Sequence, residues 1–280
     1  MNKVYVKVGL ALLSLAGYMQ NVAISSEASR NSASHSSGLR QNNDARFKKH
    51  KNIVCENIDE ALLALKNIND ASELLLKLAE NTDGYSAYST DNKNGTVYSK
   101  KIGNVDIGKL HVTIPSSSKY EDVLRNLWDY NDPTKTYKKF INGNIARIYC
   151  KYLIIVEKKN RDPVYRSLVK KYALASIVKQ SDDIAVIVCP SRILNYLGEI
   201  NDEPNMKEIL ENTQPIETGI GAEEALTKLA NNLSGFIIKK RDDDVEVTYI
   251  NAIFEHDNSA ADKRYRNITY RNILRLAKRI

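Results

Sequence analysis

Between Ile145 and Cys189 the chain carries four runs of strand-forming residues, Ile145 to Tyr149, Tyr152 to Lys158, Leu168 to Lys179 and Ile184 to Cys189, with little between them. The separators are Cys150-Lys151, the cluster Asn160 to Pro163, and Gln180 to Asp183. Connectors of that size make hairpins, so these strands are expected to pair antiparallel with their neighbours as a meander. Upstream, Thr96 to Lys101 and Val105 to Ile114 are split by Gly103-Asn104, and Leu110, Val112 and Ile114 alternate with Lys109, His111 and Thr113. That alternation predicts a hairpin with one buried face. Two further runs, Gly235 to Arg241 and Val245 to Phe254, flank the acidic turn Asp242-Asp243-Asp244.

Helical spacing appears in three places. Ala61, Leu65, Ile68, Leu75 and Ala79 predict a helix over Ile58 to Ala79. Tyr120, Val123, Leu124 and Leu127 predict a second over Tyr120 to Trp128, and a third begins near Asp262. Arg192 to Ala222 loses periodicity and reads as a long loop with room for a short helix. One antiparallel sheet of about eight strands with helices toward both ends is an α+β domain rather than a parallel α/β one.

The N-terminus reads differently. Lys3 and Lys7 precede the apolar run Gly9 to Gly17, and Ala23 and Ser25 offer small residues for cleavage, so Met1 to about Ser25 is expected to be a signal peptide. Residues 26–51, rich in Ser, Asn and charge, are expected to be a disordered leader, and the domain to span residues 52–280. The formal charge of +7 favours anionic surfaces, while the secretory signal argues against a nucleic-acid partner.

The cysteines, Cys55, Cys150 and Cys189, are odd in number and match no zinc spacing, and the histidines at 35, 50, 111 and 256 do not complete one. No GxSxG, HExxH, P-loop or GxGxxG motif is present. The expectation is a protein without catalytic residues, metal or cofactor.

The candidate binding residues come from shared faces. In the last helix Tyr265, Thr269, Ile273, Leu276 and Ile280 form one stripe, and Arg264, Arg271, Arg275 and Lys278 form the opposite one. The apolar stripe suits a cover over an interior, and the basic stripe suits docking on anionic head groups. Trp128 ends the second helix at the mouth of the strand region. Arg147 and Tyr149 share a strand face, as do Tyr172 and Leu174, and Val247 and Tyr249. An inward Arg147 would need an anion, and a lipid phosphate would serve. An outward Arg147 would be solvated, and alternation does not choose between the two.

Four segments, IGKLHVTIP, KYEDVLRNLWD, FINGNIARIYCKYLIIVEKK and VTYI, together with the leader MNKVYVKVGLALLSLAGYMQNVA, give the chain a recognisable pattern. It resembles the fam-a proteins of rodent malaria parasites, which carry a START-like domain. The resemblance implies a helix-grip fold, a curved antiparallel sheet around a long C-terminal helix with a lipid between them. It further implies a monomer that binds and transfers a phospholipid, phosphatidylcholine above all, through transient membrane contact. Secretion into the parasitophorous vacuole or the host erythrocyte is also implied. Trp128-Asp129 stands where START domains commonly carry a Trp-Asp pair. Pro163 and Arg166 match a START proline and arginine, but Ser167 replaces the acid that usually follows. The alternative on the same fold is a surface-display or host-interaction protein without transfer activity.

Overall fold

A computed structural model describes residues 51–91, 95–128, 140–161, 168–194, 203–255 and 259–280, all within the compact unit Phe47–Ile280. The expected signal peptide, the leader up to residue 50, His256, Asp129, Pro163, Arg166 and Ser167 lie outside the described residues.

The long first helix, α1 (Ile58–Glu80), starts where its sequence dictates. Asn57 is its N-cap, with Oδ1 accepting from the Glu60 amide at 3.1 Å. Ala64, Ile68, Ala71, Leu75 and Leu78 form a fully buried stripe at three-and-four spacing. At the far end, the buried Lys109 ammonium donates to Ala79 O (2.5 Å) and Asn81 O (3.2 Å), placing a cation on the negative end of the helix.

The strands are β1 (Ser86–Asp91), β2 (Gly95–Ile102), β3 (Val105–Pro115), β4 (Asn144–Cys150), β5 (Leu153–Arg161), β6 (Leu168–Lys179), β7 (Ile184–Val188), β8 (Leu233–Lys240) and β9 (Asp244–Phe254). They form one antiparallel sheet in the order β1-β2-β3-β9-β8-β7-β6-β5-β4. Four shorter or later helices complete the fold: α2 (Tyr120–Trp128), α3 (Met206–Glu211), α4 (Ala222–Leu229) and α5 (Ser259–Ala277). The α+β class and the helix over one sheet face agree with the sequence reading. The sheet has nine strands rather than about eight, because β1 was not foreseen; α3 is the short helix for which the region 192–222 left room, and that region leads directly into α4.

Each face of the sheet has its own core. The outer face, covered by α1, α3 and α4, presents Ile107, Ile155, Leu174, Val186, Ile237 and Ile250. The inner face, covered by α2 and α5, presents Leu110, Val112, Val156, Ile187, Phe236 and Val247. Two glycines let the covers approach. A Cβ on Gly235 would come within 2.5 Å of Leu75 Cδ1 in α1 and of Ile187 O, and a Cβ on Gly108 would overlap the Tyr270 hydroxyl of α5. Among the described residues no helix is long and apolar enough to cross a membrane.

Candidate functional site

Residues two apart on a strand share a face, so each strand can be followed along the inner side alone. On β9 the sequence of inner residues runs Val245, Val247, Tyr249 and then Asn251, and on β8 it runs Ile238, Phe236 and then Ser234. On β7 it runs Ala185 and Ile187 to Cys189 just past the strand, on β5 Ile154 and Val156 to Lys158, and on β6 Ala175 and Ala173 to Lys171. The interior is therefore amphipathic along its length. One end is aliphatic and aromatic, and the other is lined by amide, hydroxyl, thiol and ammonium groups.

At the polar end lies a cavity of about 140 Å³, roofed by Asp262 and Tyr265 of α5 and walled by Lys158, Lys171, Ser234 and Asn251. Lys158 and Lys171 are direct cross-strand partners. Like charges so placed repel, and among the described residues neither lysine forms an ion pair. The Lys158 ammonium donates to Pro190 O at 2.5 Å, and burial holds its pKa below the usual lysine range. Asn232 Nδ2 donates to Asp262 Oδ2 at 3.0 Å, and Asn142 Nδ2 donates to the Tyr265 hydroxyl at 2.8 Å. Asn251, 6% exposed, donates through Nδ2 to the Tyr249 hydroxyl at 2.9 Å, while its Oδ1 has no partner among the described residues. A buried amide oxygen left unpaired is costly and marks a place for a donor. The Cys189 thiol, pushed up to about 12 by burial, is an unreactive wall.

Aromatic rings separate this cavity from the apolar end. Phe236 lies 5.3 Å from Phe140 edge-on and 4.7 Å from Tyr249, whose ring meets Tyr270 of α5 at 5.9 Å and 85°. The cavity is below the ~300 Å³ lower end of typical small-molecule pockets.

The cover is fastened electrostatically. Arg266 of α5 reaches through the interface to Asp106 of β3, with Nη2 to Oδ2 at 3.1 Å, and Lys263 adds a second contact at 3.3 Å. Burial pushes the Asp106 carboxyl up, but the hydrogen bonds and charges of Arg266 and Lys263 outweigh it and hold the carboxyl below its ordinary range. A depressed carboxyl stabilises the fold above its unfolded pKa, and that contribution disappears as pH falls through the lower folded value. Asp106→Asn is accordingly expected to cost about 2 kcal/mol at neutral pH. The gap from wild type should close below about pH 4. Urea titrations of both proteins across the acid range measure it, and a gap that does not change with pH would contradict the fastening role.

Of the residues picked from sequence, the structure brings Trp128, Val247, Tyr249, Ile273 and Leu276 together in the inner-face core. It sends Arg147, Tyr149, Tyr172 and Leu174 to the opposite side of the sheet, so they cannot line the same interior. Tyr172 and Leu174 pack in the core under α1. Arg147 neither faces the inner cavity nor stands free in solvent, although part of its side chain stays exposed. It clamps the buried Glu60 of α1, Nε to Oε1 at 2.9 Å and Nη2 to Oε2 at 2.8 Å, while the Tyr149 hydroxyl donates to Oε1 at 2.8 Å. A β-bulge between Ile145 and Arg147 is the reason: it restarts the alternation, leaving Ile145 with the inner core and turning Arg147 outward. Arg264, Arg271 and Arg275 are exposed on α5 and Lys278 is exposed just past its end, and Tyr265 is 37% exposed although it roofs the cavity.

The polar wall residues Lys158, Lys171, Ser234 and Asn251 were missed from sequence. Their signal was present as the break in each apolar alternation, but only the register aligns the breaks at one level.

No family model matches the sequence, and no curated protein matches it. Among solved structures the chain is similar to human StAR-related lipid transfer protein 5, with a TM-score of 0.49 and 9% identity over 77% of this chain and 97% of that one. It is also similar to human STARD10, with a TM-score of 0.39 and 12% identity over 72% of this chain and 78% of that one. A third similar structure is a STAR-related lipid transfer protein fragment from Xanthomonas axonopodis, with a TM-score of 0.38 and 13% identity over 70% and 97% of the two chains.

Proposed function

We propose that the protein binds one phospholipid between the inner sheet face and α5 and carries it between membranes. The observation that supports this reading is the amphipathic interior: five strands turn from apolar to polar at the same level, and two lysines without an ion-pair partner among the described residues face each other at the polar end. A lipid phosphate would relieve the repulsion between Lys158 and Lys171, and acyl chains suit the apolar end. The present cavity of about 140 Å³ takes only part of a head group. Uptake therefore requires α5 to move, releasing Asp106 and exchanging its own buried Tyr270 and Ile273 for lipid. The resemblance to fam-a proteins supports phosphatidylcholine as the cargo and a secreted location, with Met1 to about Ser25 removed.

The exposed arginines of α5 are proposed to set the cover on anionic head groups, each worth about 1 kcal/mol near such a surface. Movement of labelled phosphatidylcholine between liposomes tests the whole reading. The purified protein is expected to accelerate transfer, and no acceleration over a protein-free blank would sink it. Arg271→Glu combined with Arg275→Glu should slow transfer from anionic vesicles by about tenfold. The same pair should leave transfer from neutral vesicles nearly unchanged, and equal slowing on both would remove the docking role.

The small cavity specifically favours the other reading, a display protein that uses the fold without cargo. Mass spectrometry of lipid released from the purified protein separates the two: a carrier holds lipid in stoichiometric amount, a display protein holds none.

A further inference from the structure

On the far side of the sheet from α5, where α1 ends, a second cavity of about 390 Å³ opens against β2, β3, β8 and β9. Its volume falls within the ~300 to 1,000 Å³ range of small-molecule pockets. It is nearly three times the size of the inner one. Tyr85, Tyr98 and Ile237 supply its apolar walls, and Lys109, Lys239, Glu80 and Glu246 supply its charged groups.

Among the described residues neither glutamate forms an ion pair with either lysine. Glu246, the direct cross-strand neighbour of Lys239, is held by Arg241, Nη2 to Oε2 at 3.0 Å. Glu223, beyond the cavity, is held by Lys100 at 2.5 Å. Glu80 lines the cavity but is exposed. Lys239 consequently has no anionic partner among the described residues. Lys109, 8% exposed, has only the two carbonyl oxygens at the end of α1 and the face of Tyr85, 5.4 Å from its ring centroid. Burial, followed by repulsion from Lys239, lowers the pKa of Lys109. His111 is turned to Thr248, Nδ1 to Oγ1 at 3.0 Å, and adds no negative charge.

We infer that this outer-face cavity is a binding site for a small organic anion with a flat apolar body, its charged group between Lys109 and Lys239 and its body against Tyr85 and Tyr98. The ring faces give such a ligand contact area at little entropic cost, and the ammonium pair selects its sign. The site shares no residue with the lipid cavity and does not depend on that reading. It would make the protein a carrier or sensor of two unrelated ligands on opposite sides of one sheet.

Phenyl phosphate is a suitable probe, titrated into the purified protein by calorimetry with inorganic phosphate and phenol alongside. Saturable binding of one phenyl phosphate per chain is expected, with both fragments weaker. Lys239→Glu should weaken phenyl phosphate binding by about tenfold or more, the size of one charge-assisted contact. Tyr98→Ala should weaken it by a smaller factor. Lys239→Gln, at a half-buried position with no partner to lose, keeps the test valid should the glutamate variant fold poorly. Lys158→Glu, on the other face, should leave the affinity unchanged. No saturable binding, equal binding of inorganic phosphate, or loss in Lys158→Glu without loss in Lys239→Glu or Lys239→Gln would each overturn the assignment.

Discussion

Tyr249→Ala is expected to lower the unfolding free energy by about 4 kcal/mol, within the range for deleting a buried aromatic ring. Tyr249 is 2% exposed and stacks between Phe236 and Tyr270, so its ring joins the sheet to α5. Two losses combine in the variant. The ring leaves a void bounded by side chains from three directions, and Asn251, whose Oδ1 already has no partner among the described residues, loses the acceptor for its Nδ2 as well. Tyr249→Phe separates these effects, since it keeps the ring and removes only the hydroxyl, at an expected cost of about 1 to 2 kcal/mol. Urea midpoints for the two variants measure both. An alanine variant no worse than the phenylalanine variant would mean that α5 does not rest on this ring. The void also lies between the polar cavity and the apolar core, so Tyr249→Ala should accept apolar dyes that wild type excludes.

The second large effect is expected on the opposite face, at the clamp between α1 and β4. Glu60→Gln should cost about 3 kcal/mol, the lower end for removing one partner of a buried ion pair, because Arg147 keeps part of its surface in water. Burial pushes the Glu60 carboxyl up, but the hydrogen bonds from Arg147 and Tyr149 and the Arg147 charge more than offset it, so the carboxyl sits below its usual range. Its contribution in wild type is present above the unfolded carboxyl pKa and fades as pH falls through the folded value. Arg147→Met should reverse that sign. With the guanidinium gone, burial raises the carboxyl above its unfolded value, and the penalty then grows as pH rises. Stability of the methionine variant should therefore decline from about pH 4 toward neutrality relative to Glu60→Gln with Arg147→Met combined. A parallel course for the two would show that Glu60 does not ionise inside the fold.

Much of the sheet was readable because half-buried strands must alternate. Leu110, Val112 and Ile114 announced their face, and so did Val245 and Val247. β1 was not readable, since Ser86–Asp91 offers one alanine, one tyrosine and small polar side chains with no apolar stripe. Its place is set by pairing with β2. α4 escaped notice because it has only eight residues and begins at Gly221 without a side-chain cap. The site was harder. Alternation correctly placed Tyr172 with Leu174 and Val247 with Tyr249, but a period of two does not say which face is which. Arg147 does share its face with Tyr149 as alternation has it, but the bulge sets Ile145 on the other face, so Ile145 could not tell which way Arg147 points. The polar end of the interior depends on register between five strands, and no single segment contains that information. The basic stripe of α5 was legible because a 3.6-residue helix has one buried side, and Arg271 and Arg275 are exposed as the spacing requires. Arg266 was overlooked because a charged residue near the buried stripe makes sense only once Asp106 is found on β3.

The join between β3 and β9 has a consequence for how the molecule is made. Residue for residue, Val105 faces Phe254 and Pro115 faces Asp244, so the middle of the sheet is closed by strands that lie about half the chain apart. Pairings of such separation carry a high loop-closure cost and form slowly. On a ribosome, β4 to β7 can assemble as hairpins while the partner of β3 has not yet been synthesised. The helix that roofs the inner face follows β9 in sequence and can dock only afterwards. During that interval the apolar interior stands uncovered, and on the proposed function a first lipid could enter then without any opening of the finished protein.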